Sequence, residues 1–72
     1  MKAMFDISTI AYAEHCNNVE NAVRFMVNLM QDDIDPSDPE VFNSVMKRFD
    51  LDSDGFSISY DDIMAKVRER SM

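Results

Sequence analysis

Residues 49–63 read FDLDSDGFSISYDDI. Asp50, Asp52 and Asp54 alternate, and Gly55, the only glycine of the chain, follows at once. Three carboxylates within five residues repel one another. A fold tolerates that cheaply only when they face water or share a cation. Alternate side chains of a curling backbone can aim at one centre, and a glycine permits the sharp turn that brings a carbonyl in next. Oxygen donors in that arrangement suit a hard divalent ion such as Ca²⁺, which takes about six to eight of them.

Outside this loop the sequence reads as helix. Gly occurs once and Pro twice, and no stretch alternates apolar and polar residues for long. That poverty of breakers predicts an all-α, compact four-helix domain spanning the single unit 1–72, with helices at roughly 6–15, 18–31, 38–49 and 59–69. Ile7, Ile10 and Ala11 recur at helical spacing in the first. Asn17, with Glu20 three residues on, has the capping-box pattern and is read as opening the second, so residues 15–18 are expected to turn. Val19, Ala22, Val23, Met26 and Met30 mark its inner face, and Phe25, Val27 and Leu29 broaden it. A helix that apolar is central in a core or partly exposed for a partner.

Asp32 and Asp33 are expected to end the second helix, since negative charge opposes a helix C-terminus, and residues 32–38 form an acidic linker. Pro39 at a first helical position supports Asp38 as the cap of the third helix, while Ser37 with Glu40 supports a capping box one residue earlier. Val41, Phe42, Val45, Met46 and Phe49 form the inner stripe of that helix, and Tyr60, Ile63, Met64 and Val67 that of the fourth. The four methionines Met26, Met30, Met46 and Met64 stand at inward positions and read as core filler, with a recognition groove as their other use.

The D-x-D-x-D-G pattern at Asp50, Asp52, Asp54 and Gly55, entered from Phe49 and left through Ile63, resembles the calcium loop of the EF-hand superfamily over residues 38–69. The usual loop of that family has an aliphatic residue two after the glycine and a terminal Glu. Here Ile58 stands three after Gly55, and an insertion of one residue around Phe56 and Ser57 brings Ile58, Ser59 and Asp62 into register. The resemblance then implies an EF-hand-like helix–loop–helix in which Asp50, Asp52, Asp54, Asp62 and the carbonyl of Phe56 or Ser57 ligate Ca²⁺. Ser59 would bond through water or cap the exiting helix. The shorter terminal carboxylate and the displaced carbonyl imply weak affinity, about 10⁻⁵ to 10⁻³ M, with Mg²⁺ as a competitor. If the two states differ in interhelical angle, Val45, Met46, Phe49, Ile63 and Met64 form the surface revealed to a protein partner. Family members pair two hands. One is present here, so either helices one and two act as a pseudo-hand in a monomer, or two chains pair loop to loop as a homodimer.

Composition bounds the alternatives. Fourteen acidic residues oppose seven basic ones, for a net charge of -7, which disfavours direct contact with nucleic acid. Ten of the acids fall in two clusters, Asp32, Asp33, Asp35, Asp38, Glu40 and Asp50, Asp52, Asp54, Asp61, Asp62. A metal-independent reading follows from them: a small acidic adaptor or inhibitor that binds a basic protein surface, in competition with nucleic acid there. No apolar run reaches membrane-helix length and the N-terminus lacks a secretory core, so no membrane partner and a cytoplasmic location are expected. His15 and Cys16 are neighbours, which point about 100° apart on a helix and cannot share a metal or proton. With no phosphate loop or hydrolase spacing either, the chain is not expected to be an enzyme.

Overall fold

A computed structural model describes residues 7–71. Among them stand three helices, α1 (Ile7–Gln31), α2 (Pro39–Arg48) and α3 (Tyr60–Ser71), and no strand. The all-α expectation therefore holds, and the four-helix expectation does not. The helices expected at 6–15 and 18–31 are one helix of 25 residues. Asp6 and the side chain of Ile7 lie outside the described residues.

The continuity of α1 has a physical reason. Ala11, His15, Val19, Ala22 and Met26 are all at least half-buried and recur at intervals of four, four, three and four. Glu14, Asn17, Asn21, Arg24, Asn28 and Gln31 are exposed and recur at three and four on the opposite side. Both stripes pass through residues 15–18 in phase, and a turn there would put the two halves out of register. Asn in a helix costs only about 0.7 kcal/mol relative to Ala, whereas a second helix needs its own unfavourable nucleus. Neither Gly nor Pro forces the break.

Around α1 the core assembles. Ala22, Val23 and Met26 are fully buried, and Val45 and Met46 of α2 and Ile63, Met64 and Val67 of α3 close over them. Both shorter helices pack on α1. They touch each other near their N-terminal ends, where the Phe42 and Tyr60 rings lie edge to face at 4.8 Å. Tyr60 Oη also donates to the Ser37 carbonyl at 3.0 Å. Two inward assignments need correction: Met30 is 40% exposed and Tyr60 42%, and Ile10, at helical spacing in the same helix as Met30, is 49% exposed. Met30 lies in the last turn of α1 and Ile10 in its first half, at the two ends of a helix whose fully buried residues lie between them.

The helix ends explain the loops. Asp38 is the N-cap of α2: its side chain accepts from Glu40 N–H at 2.9 Å, and Pro39 occupies the first helical position. The Ser37 alternative is displaced because Ser37 is already engaged. Its N–H and hydroxyl both donate to Asp35 Oδ1, at 2.9 and 2.6 Å. These bonds, the hydroxyl first, hold the Asp35 carboxyl below its usual range. α1 and α2 end alike. Asp33 (φ 63°) and Asp50 (φ 59°) adopt the left-handed conformation. Ile34 N–H and Leu51 N–H reach back to the Leu29 and Met46 carbonyls, at 2.9 and 2.8 Å. Asp33 N–H and Asp50 N–H bond to Met30 and Lys47, at 3.1 and 3.2 Å. That is the Schellman pattern, with aspartate where glycine is commonest. The aliphatic residue after each turn folds back toward its helix, but Leu51 is 3% exposed and Ile34 is 40% exposed.

The same motif thus carries unequal weight at its two places. Leu51→Ala is expected to cost about 2–4 kcal/mol in urea unfolding, and Ile34→Ala less than about 1 kcal/mol. Equal losses would mean that the turn, and not burial, sets the energy.

Candidate functional site

The segment joining α2 to α3 runs over residues 49–59. Its first turn is the α2 cap just described, which fixes Asp50 in the left-handed region and draws Leu51 into the core. Gly55 has φ 85°, so the turn expected of it after Asp54 is present, and a side chain there would be strained. Ser59 caps α3. Its Oγ accepts from Asp62 N–H at 3.3 Å, and its carbonyl accepts from Ile63 N–H at 3.1 Å. The Ser59–Asp62 spacing was the signal for this cap, and Asp61 and Asp62 in the first turn of α3 complement the positive helix pole. Ile58 is half-buried against the core, as its register requires.

The carboxylates divide into two groups. Asp50, Asp52 and Asp62 are exposed, and no side-chain hydrogen bond or ion pair neutralises them among the described residues. Asp54 is turned toward α1, its side chain only 15% exposed. Its Oδ2 accepts from His15 Nδ1 at 2.6 Å, and its Oδ1 from Phe56 N–H at 3.0 Å. A carboxylate only accepts, so the shared proton lies on Nδ1 of His15. Burial works against the charge of Asp54, but the bonds from His15 and Phe56 outweigh it, and the carboxyl is held below the ordinary aspartate range.

His15 therefore joins α1 to the loop, a role its neighbour Cys16 does not share. Its position within residues 15–18, where the sequence suggests a turn, would make it a helix-end residue. It sits instead on the inward stripe of a continuous helix, and Cys16 is exposed. Aromatic rings reinforce the clasp. Phe56 lies 4.7 Å from the His15 ring and 5.6 Å from that of Tyr12. Phe56, whose carbonyl or that of Ser57 is the expected ligand, gives its ring and its N–H to this clasp. Beside this cluster a cleft of about 450 Å³ opens between α1 and the start of α3, lined by His15, Ser57, Ser59, Asp62 and Lys66 among others.

For a divalent ion, the donor set is right in kind, all hard oxygen with a glycine turn inside it. The donors do not converge in this conformation. Among the described residues no three His, Cys, Asp or Glu side chains stand together as they would around an ion. Of the surface residues assigned to a partner, Val45, Met46, Ile63 and Met64 are buried core and Phe49 is half-buried. None of the described helices is long and apolar enough to cross a membrane.

The depressed Asp54 carboxyl has a consequence for acid stability. The unfolded chain takes up the proton near pH 4, the native chain only at lower pH, so the clasp stabilises the fold above about pH 4 and is lost as pH falls through the native value. In EDTA, the stability gap between the native sequence and Asp54→Asn is expected to be full above the ordinary aspartate range and to close as pH falls through the lowered native value. A gap independent of pH would show that the ionised form of Asp54 is not what the clasp uses. No family model, curated protein or solved structure matches this chain.

Proposed function

We propose that the protein is a small calcium-responsive interaction module, and that its loop binds Ca²⁺ weakly in the manner of an EF-hand. The observation that carries this reading is the loop itself. An exposed, unneutralised Asp50 and Asp52 precede Asp54 and a positive-φ Gly55, between two amphipathic helices whose far side is closed by the Ser59 cap. Asp50, Asp52, Asp54 and Asp62 would hold the ion with a carbonyl of Phe56 or Ser57, and Mg²⁺ would compete. Bound Ca²⁺ would supply charge that offsets their mutual repulsion. To join the others, Asp54 must leave His15, and that exchange lowers affinity by whatever the clasp is worth. Ion-dependent exposure of Val45, Met46, Phe49, Ile63 and Met64, all buried or half-buried here, is the route by which a partner would be engaged.

A second reading is favoured by the acidic linker, whose carboxylates are exposed from Asp32 to Glu40. It makes the protein a metal-independent acidic adaptor or inhibitor for a basic protein surface.

Thermal melts in EDTA, in millimolar Ca²⁺ and in millimolar Mg²⁺ separate the two. The calcium reading expects an upward shift of several degrees or more, reaching about 10–20 °C where the ion is in hundredfold excess over Kd and supplies about 2.7 kcal/mol. The shift should vanish in Asp50→Asn with Asp52→Asn, while the metal-free melt of that variant rises because repulsion is relieved. Coincident curves in all three buffers reject calcium binding. Calorimetric titration of His15→Ala is expected to give tighter Ca²⁺ binding than the native chain, since Asp54 is then free. Weaker binding would mean that His15 orients Asp54 for the ion and does not withhold it.

A further inference from the structure

At the end of α1 away from His15, a cleft of about 420 Å³ lies between the C-terminal part of α1 and the flank of α2 that carries Val41 and Val45. Phe25, Leu29, Ile34, Val41 and Val45 line it. Leu29 stands fourteen positions beyond His15 on a continuous helix, about 20 Å along its axis, so the cleft and the loop are separate places. One end is closed by Arg48, whose guanidinium lies 4.9 Å over the Phe25 ring and 5.8 Å from that of Phe49. The other end opens at Ile34, an aliphatic side chain 40% exposed between the exposed carboxylates of Asp33 and Asp35. Glu40 stands on the wall, and Asp32 and Asp38 lie close by in the chain.

An apolar slot with Glu40 on its wall, and with its opening residue Ile34 carried between two exposed aspartates of the chain, selects its occupant by charge and shape together. An acidic or neutral partner would have to bury its apolar groups beside uncompensated carboxylates. A helix with an apolar stripe and flanking Lys or Arg places each group against its complement. The volume suits a few aliphatic side chains, not a globular face. We infer that this groove is a preformed docking site for a basic amphipathic helical segment of another protein. The apolar anchors of that segment enter between Leu29 and Val41, and its cations pair with Asp33, Asp35 and Glu40. The inference gives a place to the metal-independent reading and requires no ion in the loop.

The test uses the full chain and a fluorescein-labelled peptide of about 16 residues, built of Ala and Lys with Leu at helical spacing on one face. Fluorescence anisotropy in EDTA at low salt is expected to show saturable binding, weakened by salt. Ile34→Asn, whose fold is checked by circular dichroism, is expected to weaken it about tenfold. Asp33→Asn with Asp35→Asn should flatten its salt dependence. A peptide with Ser in place of Leu but the same charge should bind at least tenfold more weakly. Failure of the Leu peptide to bind, equal affinity of the Ser peptide, or equal affinity of Ile34→Asn overturns the inference. Binding that requires Ca²⁺ also overturns it and credits the loop instead. Self-association by sedimentation that Ile34→Asn abolishes overturns it by making a second copy the occupant. Binding in EDTA together with melts that ignore Ca²⁺ sustains it and rejects the calcium reading alone.

Discussion

The structure depends on the unbroken phase of one helix. Ala22, Val23 and Met26 are the fully buried centre of α1, and both other helices owe their position to packing on that stripe. A domain this small buries a modest fraction of its chain, so it cannot spread its apolar surface over several weak contacts. A single long spine is an economical answer. It also reaches well beyond the core in both directions, carrying His15 to the loop at one end and Leu29 to the acidic linker at the other.

What was legible in the sequence, and what was not, follows from the range of each interaction. Local chemistry was readable. Ser59 with Asp62, Asp38 with Pro39, and the turn at Gly55 each depend on residues within four positions of one another. The inward stripes of α2 and α3 were readable too, Tyr60 at the start of α3 excepted, because helical spacing specifies them. The break at residues 15–18 was misread because a capping-box pattern is local evidence, and the competing evidence spans 25 residues. The polar positions 14, 17, 21, 24, 28 and 31 contained it. Leu51 escaped notice because it lies inside a run of aspartates, where its neighbours suggest solvent. Its burial follows from the left-handed turn at Asp50, which no residue type announces as strongly as glycine would. The His15–Asp54 bond joins positions 39 apart and could be found only once α1 and the loop were placed.

The loop accordingly has a double character. Three aspartates alternate before its glycine, yet the Asp54 carboxylate and the Phe56 ring hold α1, and the backbone of Asp50 ends α2 and leaves its carboxylate exposed. A loop that is also a structural tie must give up part of its fold contacts to rearrange. The energy of that exchange, and not the donor chemistry, sets how readily the segment changes shape.

Tyr60 is the first residue of α3, immediately after the loop, and its hydroxyl is anchored to Ser37 in the acidic linker. This makes the ring a strut between two segments that share no backbone. A rotation of α3 that follows any reshaping of residues 49–59 must pull on the linker or snap one exposed hydrogen bond, worth about 1 kcal/mol. The strut is weak enough to act as a mechanical fuse. Once that bond is broken, α3 and the linker stay joined only through the Phe42 and Tyr60 rings and through the core on α1.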